Sequence, residues 1–245
     1  MLHKTSGIVL KTTNYAESSV VAKIYTEKFG LQSYIINGVK KPGAKIRMNM
    51  LQALSLLDLV VYHKQNGNMQ RISEARAAPI LQTIPYDIVK SSIGIFINEM
   101  LYKSLKQPAH EPQLYNFLQN AILFLDQTTE NCANFSLVFL MKLSGFLGFS
   151  PDISFADSYN YFDLLNGGFI HAAPAHPHYL DEKSASDWAI LLRCPLSESH
   201  LLSIKTSQRK FLLGKIILYY TLHIENFGVV NSHSVLEEVL RWKEI

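Results

Sequence analysis

Along the first eighty residues the apolar positions fall in short runs divided by turn residues. SGIVLKTTNY, SSVVAKIYTE, FGLQSYIING, LQALSLLDLVVYH and MQRISEARA follow one another, and most are rich in the β-branched and aromatic residues that suit a pleated, half-buried surface. In the last run Met69, Arg71, Ser73 and Ala75 alternate with Gln70, Ile72, Glu74 and Arg76, the period of a strand. Asn66-Gly67 precedes it, a pair whose tolerance of positive φ suits a tight hairpin. The span 49–57 also fits a helical period through Leu51, Leu54 and Leu57. Five strands with no room for crossover helices predict a small antiparallel barrel of the oligonucleotide-binding type.

Past Pro79 and Pro85 the period changes. Ile88, Val89, Ser92, Ile93, Phe96, Ile97, Met100 and Leu101 recur at three and four residues from Asp87 onward, an amphipathic helix closed by Pro108 and Pro112. Leu114, Phe117, Leu118, Ala121, Ile122 and Leu125 repeat the pattern up to Asp126. A third helix is expected over about 134–147, ending near Gly148 with Pro151 beyond it. Residues 150–180 have no helical period; prolines, aromatics and Gly167-Gly168 predict an irregular insert. Helices resume near Ser186, a long one covers about 206–226, and Ser234-Val-Leu-Glu237 reads as a capping box opening the last. The predicted fold is α+β: a five-stranded antiparallel barrel over 1–80, then an α-helical domain over 81–245 with its irregular insert at 150–180.

Hydrophobic residues at 48% and charged residues at 18% of 245 describe a chain with ample material for a core. The two cysteines, Cys132 and Cys194, form no disulfide framework and suit a reducing compartment. The N-terminal apolar run is too short for a signal peptide. The run at 135–149 is broken by Lys142 and falls short of the roughly 20 residues of a membrane span. A cytoplasmic protein without membrane attachment is expected.

Charge adds more. Residues 1–80 carry eleven lysines and arginines against four acids, a balance of +7, while the rest of the chain carries twelve against sixteen, a balance of −4. The asymmetry points to a polyanionic partner for the first part. Its focus is NGVKKPGAKIRM, where Lys40, Lys41, Lys45 and Arg47 stand within eight residues and no acid intervenes between Glu27 and Asp58. Lysines offer point charges to phosphate, Arg47 a planar fork, and Gly38 and Gly43 a backbone free to approach a strand. Lys11, Lys23, Arg71 and Arg76 extend the candidate DNA path, and Tyr15, Tyr25 and Tyr34 are stacking candidates with ordinary core packing as the alternative. A second basic cluster, Lys205, Arg209, Lys210 and Lys215, lies beside Phe211, Leu212 and Ile216. It reads either as a solvated helix stripe or as a basic-rimmed groove for an acidic, apolar-tipped peptide.

Chemistry of other kinds finds little material. GxxxxGK[ST], GxSxG and HExxH are absent, and no cofactor or catalytic residue is expected. His171, His176 and His178 cluster within eight residues but lack a fourth donor for structural zinc; no metal is expected there.

One resemblance joins these features. Gly7–Leu10, Tyr15-Ala-Glu17, Tyr25-Thr-Glu27, Gly30 and Gly38-Val-Lys40-Lys41 match in order and spacing the opening of the bacterial DNA repair and recombination mediator family RecO. LGFSPD at 147–152, YFDLLNGGF at 161–169 and the closing helices are similar to that family more loosely. The resemblance implies an oligonucleotide-binding barrel joined to a helical domain and a non-enzymatic role. It implies binding of single- and double-stranded DNA, strand annealing, and help to RecR in loading RecA on strands coated with single-stranded DNA-binding protein (SSB). It also implies docking of the acidic, Phe-ended SSB tail on the helical domain, which we assign to Lys205–Lys215, and a place with the bacterial nucleoid. Many family members carry two CxxC pairs around the Gly-Gly segment, forming a zinc site; this chain has none. A metal-free version packed by Tyr159, Tyr161, Phe162 and Phe169 is expected instead. The competing reading is a protein–protein adaptor whose basic surfaces dock acidic partners without touching DNA.

Overall fold

β1 (Leu2–Asn14), β2 (Val20–Thr26), β3 (Gly30–Ile36), β4 (Leu56–Tyr62) and β5 (Gln70–Ala77) close into a barrel in the order β1-β2-β3-β5-β4. The computed structural model describes residues 1–64, 67–106 and 109–242. Strand alternation fills the barrel: Val20, Ala22 and Ile24 point inward from β2, Tyr34 and Ile36 from β3, and Leu57, Leu59 and Val61 from β4. Gly7 on β1 sits where these side chains meet. A Cβ there would lie 2.6 Å from Ile24 Cγ2 and 2.9 Å from Leu59 Cδ1, so the core leaves room for glycine alone.

The barrel is mixed and not purely antiparallel, because β3 and β5 pair in parallel through Tyr34↔Gln70 and Ile35↔Arg71. A closed ring with an odd number of strands cannot reverse direction at every neighbour, and the β3–β5 seam is where the mismatch falls. The strict alternation expected along β5 also breaks. Val60 pairs with Glu74 and Val61 with Ile72, so Ser73 is the extra residue of a bulge. The bulge shifts the phase and lets Ile72, Ala75 and Ala77 all pack on the core. The apolar run at 51–63 divides in two: a 3-10 turn at Met48–Leu51, then Leu54 at φ 63°, then β4. The hairpin expectation at Asn66-Gly67 and the stop at Pro108 fall on Asn66 and Pro108, which lie outside the described residues.

Two helices belong to the same compact unit, which spans Met1–Thr128. α1 (Ile88–Ser104) is capped by Asp87, whose carboxylate accepts from the Val89 and Lys90 amides. α2 (Pro112–Gln127) has Pro112 in its first turn, where a missing N–H costs nothing; Pro112 thus opens this helix and does not close α1, whose C-cap is Leu105. The connector between β5 and α1 is pinned by Asp126 near the end of α2. Its carboxylate accepts from the backbone amides of Gln82 (2.8 Å), Thr83 (2.8 Å) and Ile84 (2.9 Å). Beside it the buried Lys90 ammonium donates to Thr83 Oγ1 at 2.8 Å and to the Asp126 and Thr128 carbonyls at 2.9 and 2.7 Å.

The second unit begins at Thr129. It holds α3 (Phe135–Phe146), a small sheet of β6 (Tyr161–Asp163), β7 (Gly168–Ile170) and β8 (Tyr179–Leu180), then α4 (Glu182–Arg193), α5 (Thr206–His223) and α6 (Ser232–Trp242). The sheet, ordered β7-β6-β8, occupies the segment read as irregular; strands of two or three residues are too short to print a period. α4 starts before Ser186, since Asp181 caps it through the Ser184 amide. The capping box at Ser234 does not form: α6 begins two residues earlier, and Ser234 Oγ donates back to the Asn231 carbonyl at 3.0 Å. Tyr220 Oη donates to the Leu140 carbonyl (2.7 Å) and joins α5 to α3. Phe162 lies buried against Phe169, Trp188 and Tyr219, at ring separations of 4.9, 5.4 and 6.2 Å. No helix among the described residues is long and apolar enough to cross a membrane.

Candidate nucleic-acid interface

The loop between β3 and the 3-10 turn is built as a charged arch on apolar feet. Val39 and Ile46 drop into the barrel core, while Lys40, Lys41, Lys45 and Arg47 all stand exposed. Two turns set this alternation: the Lys41 amide donates to the Gly38 carbonyl (3.1 Å) and the Ala44 amide to the Lys41 carbonyl (3.2 Å). Gly38 and Gly43 take φ values of 73° and 75°, a region that disfavours a side chain. Among the described residues no carboxylate pairs with any of the four cations. A solvated cation held on a fixed backbone, unshielded by an acid, is suited to phosphate.

The other barrel cations sort into groups. Lys45, Arg47 and Arg76 line one groove of about 1110 Å³, but Arg76 Nη2 is engaged 2.7 Å from Asp58 Oδ2, its cross-strand partner. Lys11 and Lys23 face each other across β1 and β2, with their ammoniums 4.7 and 5.2 Å from the ring centre of Tyr102 on α1. Burial alone would push the Tyr102 phenol up; the two ammoniums and their hydrogen bonds outweigh it and draw it below its ordinary value. Arg71 is exposed on β5 and belongs to neither group.

Of the three tyrosines considered for stacking, only Tyr15 is exposed, in the turn after β1. Tyr34 points into the barrel, where burial raises its phenol to about 12. Tyr25 is buried against Tyr115 of α2 at 6.3 Å, and its phenol is pushed up likewise. Tyr34 shares the inward phase of its strand, whereas Tyr25, next to the inward-pointing Ile24, has the outward phase and is covered by α2.

The second basic cluster is less uniform than its sequence. Arg209 is buried on the core face of α5 with Leu212, Leu213 and Ile216, and not on an outer stripe. Its Nε donates to Asn134 Oδ1 and its Nη2 to the Ile204 carbonyl, both at 3.0 Å. That corrects the reading of Arg209 as a surface cation. Lys210 Nζ lies 3.0 Å from Glu237 Oε2 of α6. Lys205 is exposed at the helix start, and Lys215 sits 5.4 Å from the ring centre of Phe211, itself 43% exposed.

The residues of the Gly-Gly segment do not fit a zinc site. His171 stacks on Tyr159, and His176 and His178 hold their rings 6.2 Å apart. Asp163, 3.4 Å from His176, spends its carboxylate on the amides of Leu165 and Asn166 and the Asn166 side chain. Among the described residues no three His, Cys, Asp or Glu side chains converge on one point.

Sequence reasoning passed over Tyr102, beside the Lys11 and Lys23 ammoniums, and Tyr86, exposed in the groove that Lys45 and Arg47 line. Tyr102 carries a signal in hindsight, because Ile95 and Tyr102 share a helix face opposite the apolar one. Tyr86 lies in a proline-punctuated connector and has no period to mark it.

Comparison with known proteins covers nearly the whole chain. The family model "Recombination protein O N terminal" matches residues 1–80 and "Recombination protein O C terminal" matches 85–231. The DNA repair protein RecO of Phocaeicola vulgatus is 34% identical over 239 residues, covering 98% of this chain and 99% of the relative. That of Bacteroides fragilis is 35% identical over 240 residues with the same coverage. That of Flavobacterium psychrophilum is 32% identical over 241 residues, with 96% and 98% covered. With the closed barrel, the helical region that follows it in sequence and matches along both parts, the chain belongs to the RecO family, with a role in DNA repair and recombination.

Proposed function

We propose that the chain is a non-enzymatic DNA-binding mediator that grips single and duplex DNA through Lys40, Lys41, Lys45 and Arg47. Lys11, Lys23 and Arg71 add charge along the barrel, and Arg76 joins when it leaves Asp58. In this reading residues 1–80 are the oligonucleotide-binding domain, and 81–245 the helical domain with 150–180 as a zinc-less counterpart of the family's metal segment. The observation that carries it is the charged arch: four exposed cations on two buried apolar feet, none of them paired with a carboxylate among the described residues.

Phosphate contact at such a surface is largely independent of sequence. Two strands on one positive surface repel each other less, which gives annealing. With RecR, the same grip helps place RecA on SSB-coated strands. The acidic, Phe-ended SSB tail docks near Lys215 and Phe211, where an ammonium and an exposed ring stand together on α5, with Lys205 exposed at the start of that helix. The protein works in the cytoplasm at the nucleoid.

The test is annealing of two complementary SSB-coated strands, followed by RecA loading with RecR added. The wild type is expected to accelerate both. The quadruple alanine variant at Lys40, Lys41, Lys45 and Arg47 is expected to lose most of that acceleration. Equal rates for the two proteins would overturn the assignment of the loop, and docking of acidic proteins without DNA contact would take its place.

A further inference from the structure

We propose that Tyr86 is a base-stacking platform, so that a single strand lies with its phosphates on the Lys45–Arg47 arm and a base on the Tyr86 ring. This rests on the proposed DNA grip and adds the part of the ligand that the ring recognises.

Tyr86 is 85% exposed, and the groove it lines with Lys45 and Arg47 also presents Ile80 at 67% and Ile95 at 54%. An aromatic ring and two isoleucines left in water beside a cationic arm are an unusual investment of apolar surface. The ring is held on a fixed frame. Its amide donates to the Thr83 carbonyl at 3.0 Å, as does that of Asp87 at 2.9 Å. Upstream, Asp126 clamps the amides of residues 82–84, and downstream Asp87 caps α1. The backbone on both sides of Tyr86 is therefore set before any ligand arrives, which lowers the ordering cost of binding.

No carboxylate lines the groove among its described residues. Its cations continue along the loop through Lys41 and Lys40. A polyanion that carries a flat apolar group on every charged unit matches that sequence of features. Single-stranded nucleic acid is such a polymer, and a duplex is not, because its bases face one another. An acidic peptide with one apolar tip would use the groove and leave the outer lysines idle.

The experiment compares the full-length wild type with Tyr86→Ala and Tyr86→Phe, titrating a labelled thymidine oligonucleotide and an abasic sugar-phosphate strand of equal length. Tyr86→Ala is expected to weaken thymidine binding roughly 5- to 160-fold, the range of one stacked base. The abasic strand, the salt dependence and the melting temperature should not move, and Tyr86→Phe should bind as wild type. Equal loss on both strands, or no loss on either, overturns the stacking role. If the loop variant still flattens the salt dependence in that case, the phosphate grip stands and only the platform fails. If the loop variant is silent as well, both readings fail. An acidic Phe-ended peptide that binds only when Tyr86 is present, with thymidine binding indifferent to Tyr86, overturns the proposal in favour of a peptide groove.

Discussion

Val39 and Ile46 bracket the charged turn and are both buried in the barrel core, 5% and 8% exposed. The cations between and beside them stand in solvent because their apolar neighbours do not. Position and charge are thus separable in this loop. Ile46→Ala is expected to lower unfolding free energy by about 2–4 kcal/mol, the cost of emptying a buried isoleucine site. Urea denaturation measures that loss. Affinity for a single strand should fall, because the arch loses a foot, while the slope of log affinity against log salt stays put, because every cation remains. A changed slope would mean that Ile46 alters which phosphates are met.

Asp126 ties the connector carrying Tyr86 to α2. Burial raises its carboxyl, but the Gln82, Ile84 and Thr83 amides outweigh that and hold it below the ordinary carboxylate range. A depressed folded-state value stabilises the fold above the unfolded value, and the contribution is lost as pH falls through the folded one. Asp126→Ala leaves three amides without their acceptor and is expected to cost roughly 3 kcal/mol at neutral pH. The gap between wild type and variant should narrow when urea melts are repeated in acid; a gap that widens on acidification would contradict the clamp.

Arg209 and its neighbours on α5 are expected to separate by phenotype. Arg209→Met removes hydrogen bonds to Asn134 and Ile204 and should destabilise the protein by about 1–3 kcal/mol. Lys205→Ala and Lys215→Ala should leave the melting temperature within a degree or two, yet weaken binding of an acidic Phe-ended peptide. The Lys210–Glu237 pair is largely exposed on the lysine side, so Lys210→Ala should cost about 0–1 kcal/mol. Calorimetry with the peptide, beside thermal melts, distinguishes the three.

Gly7→Ala tests the barrel directly. A methyl at 2.6 Å from Ile24 must push β1 or β2 aside, and overpacking of this kind costs typically 1–3 kcal/mol. A melt unchanged by this substitution would show that the core can yield where the packing says it cannot.

Much of this was legible in the residues, and the exceptions share a cause. The strands of the barrel announce themselves as short β-branched runs between turns, the first two helices through period, the third as an apolar run ended by Gly148 and Pro151, and the loop through a run of cations that no acid interrupts. The parallel β3–β5 seam is a property of ring closure, which no local pattern records. The Ser73 bulge depends on its partner strand. Arg209 reads as a surface residue until Asn134, far away in sequence, offers it an acceptor. Ser234 carries a capping-box pattern, but α6 begins at Ser232, so the serine bonds back to Asn231. Tyr86 has nothing to distinguish it from a linker residue until Asp126 fixes the backbone around it.

The most direct measurement is fluorescence anisotropy of a labelled single-stranded oligonucleotide across a salt series, with wild type beside the quadruple alanine variant at Lys40, Lys41, Lys45 and Arg47. Each phosphate contact on a single strand contributes roughly 0.7 to the slope of log affinity against log salt. Wild type should show a steep slope, and the variant one flatter by about 2–3 units. An identical slope in the two proteins, or no binding by wild type at low salt, would contradict a phosphate grip at this loop.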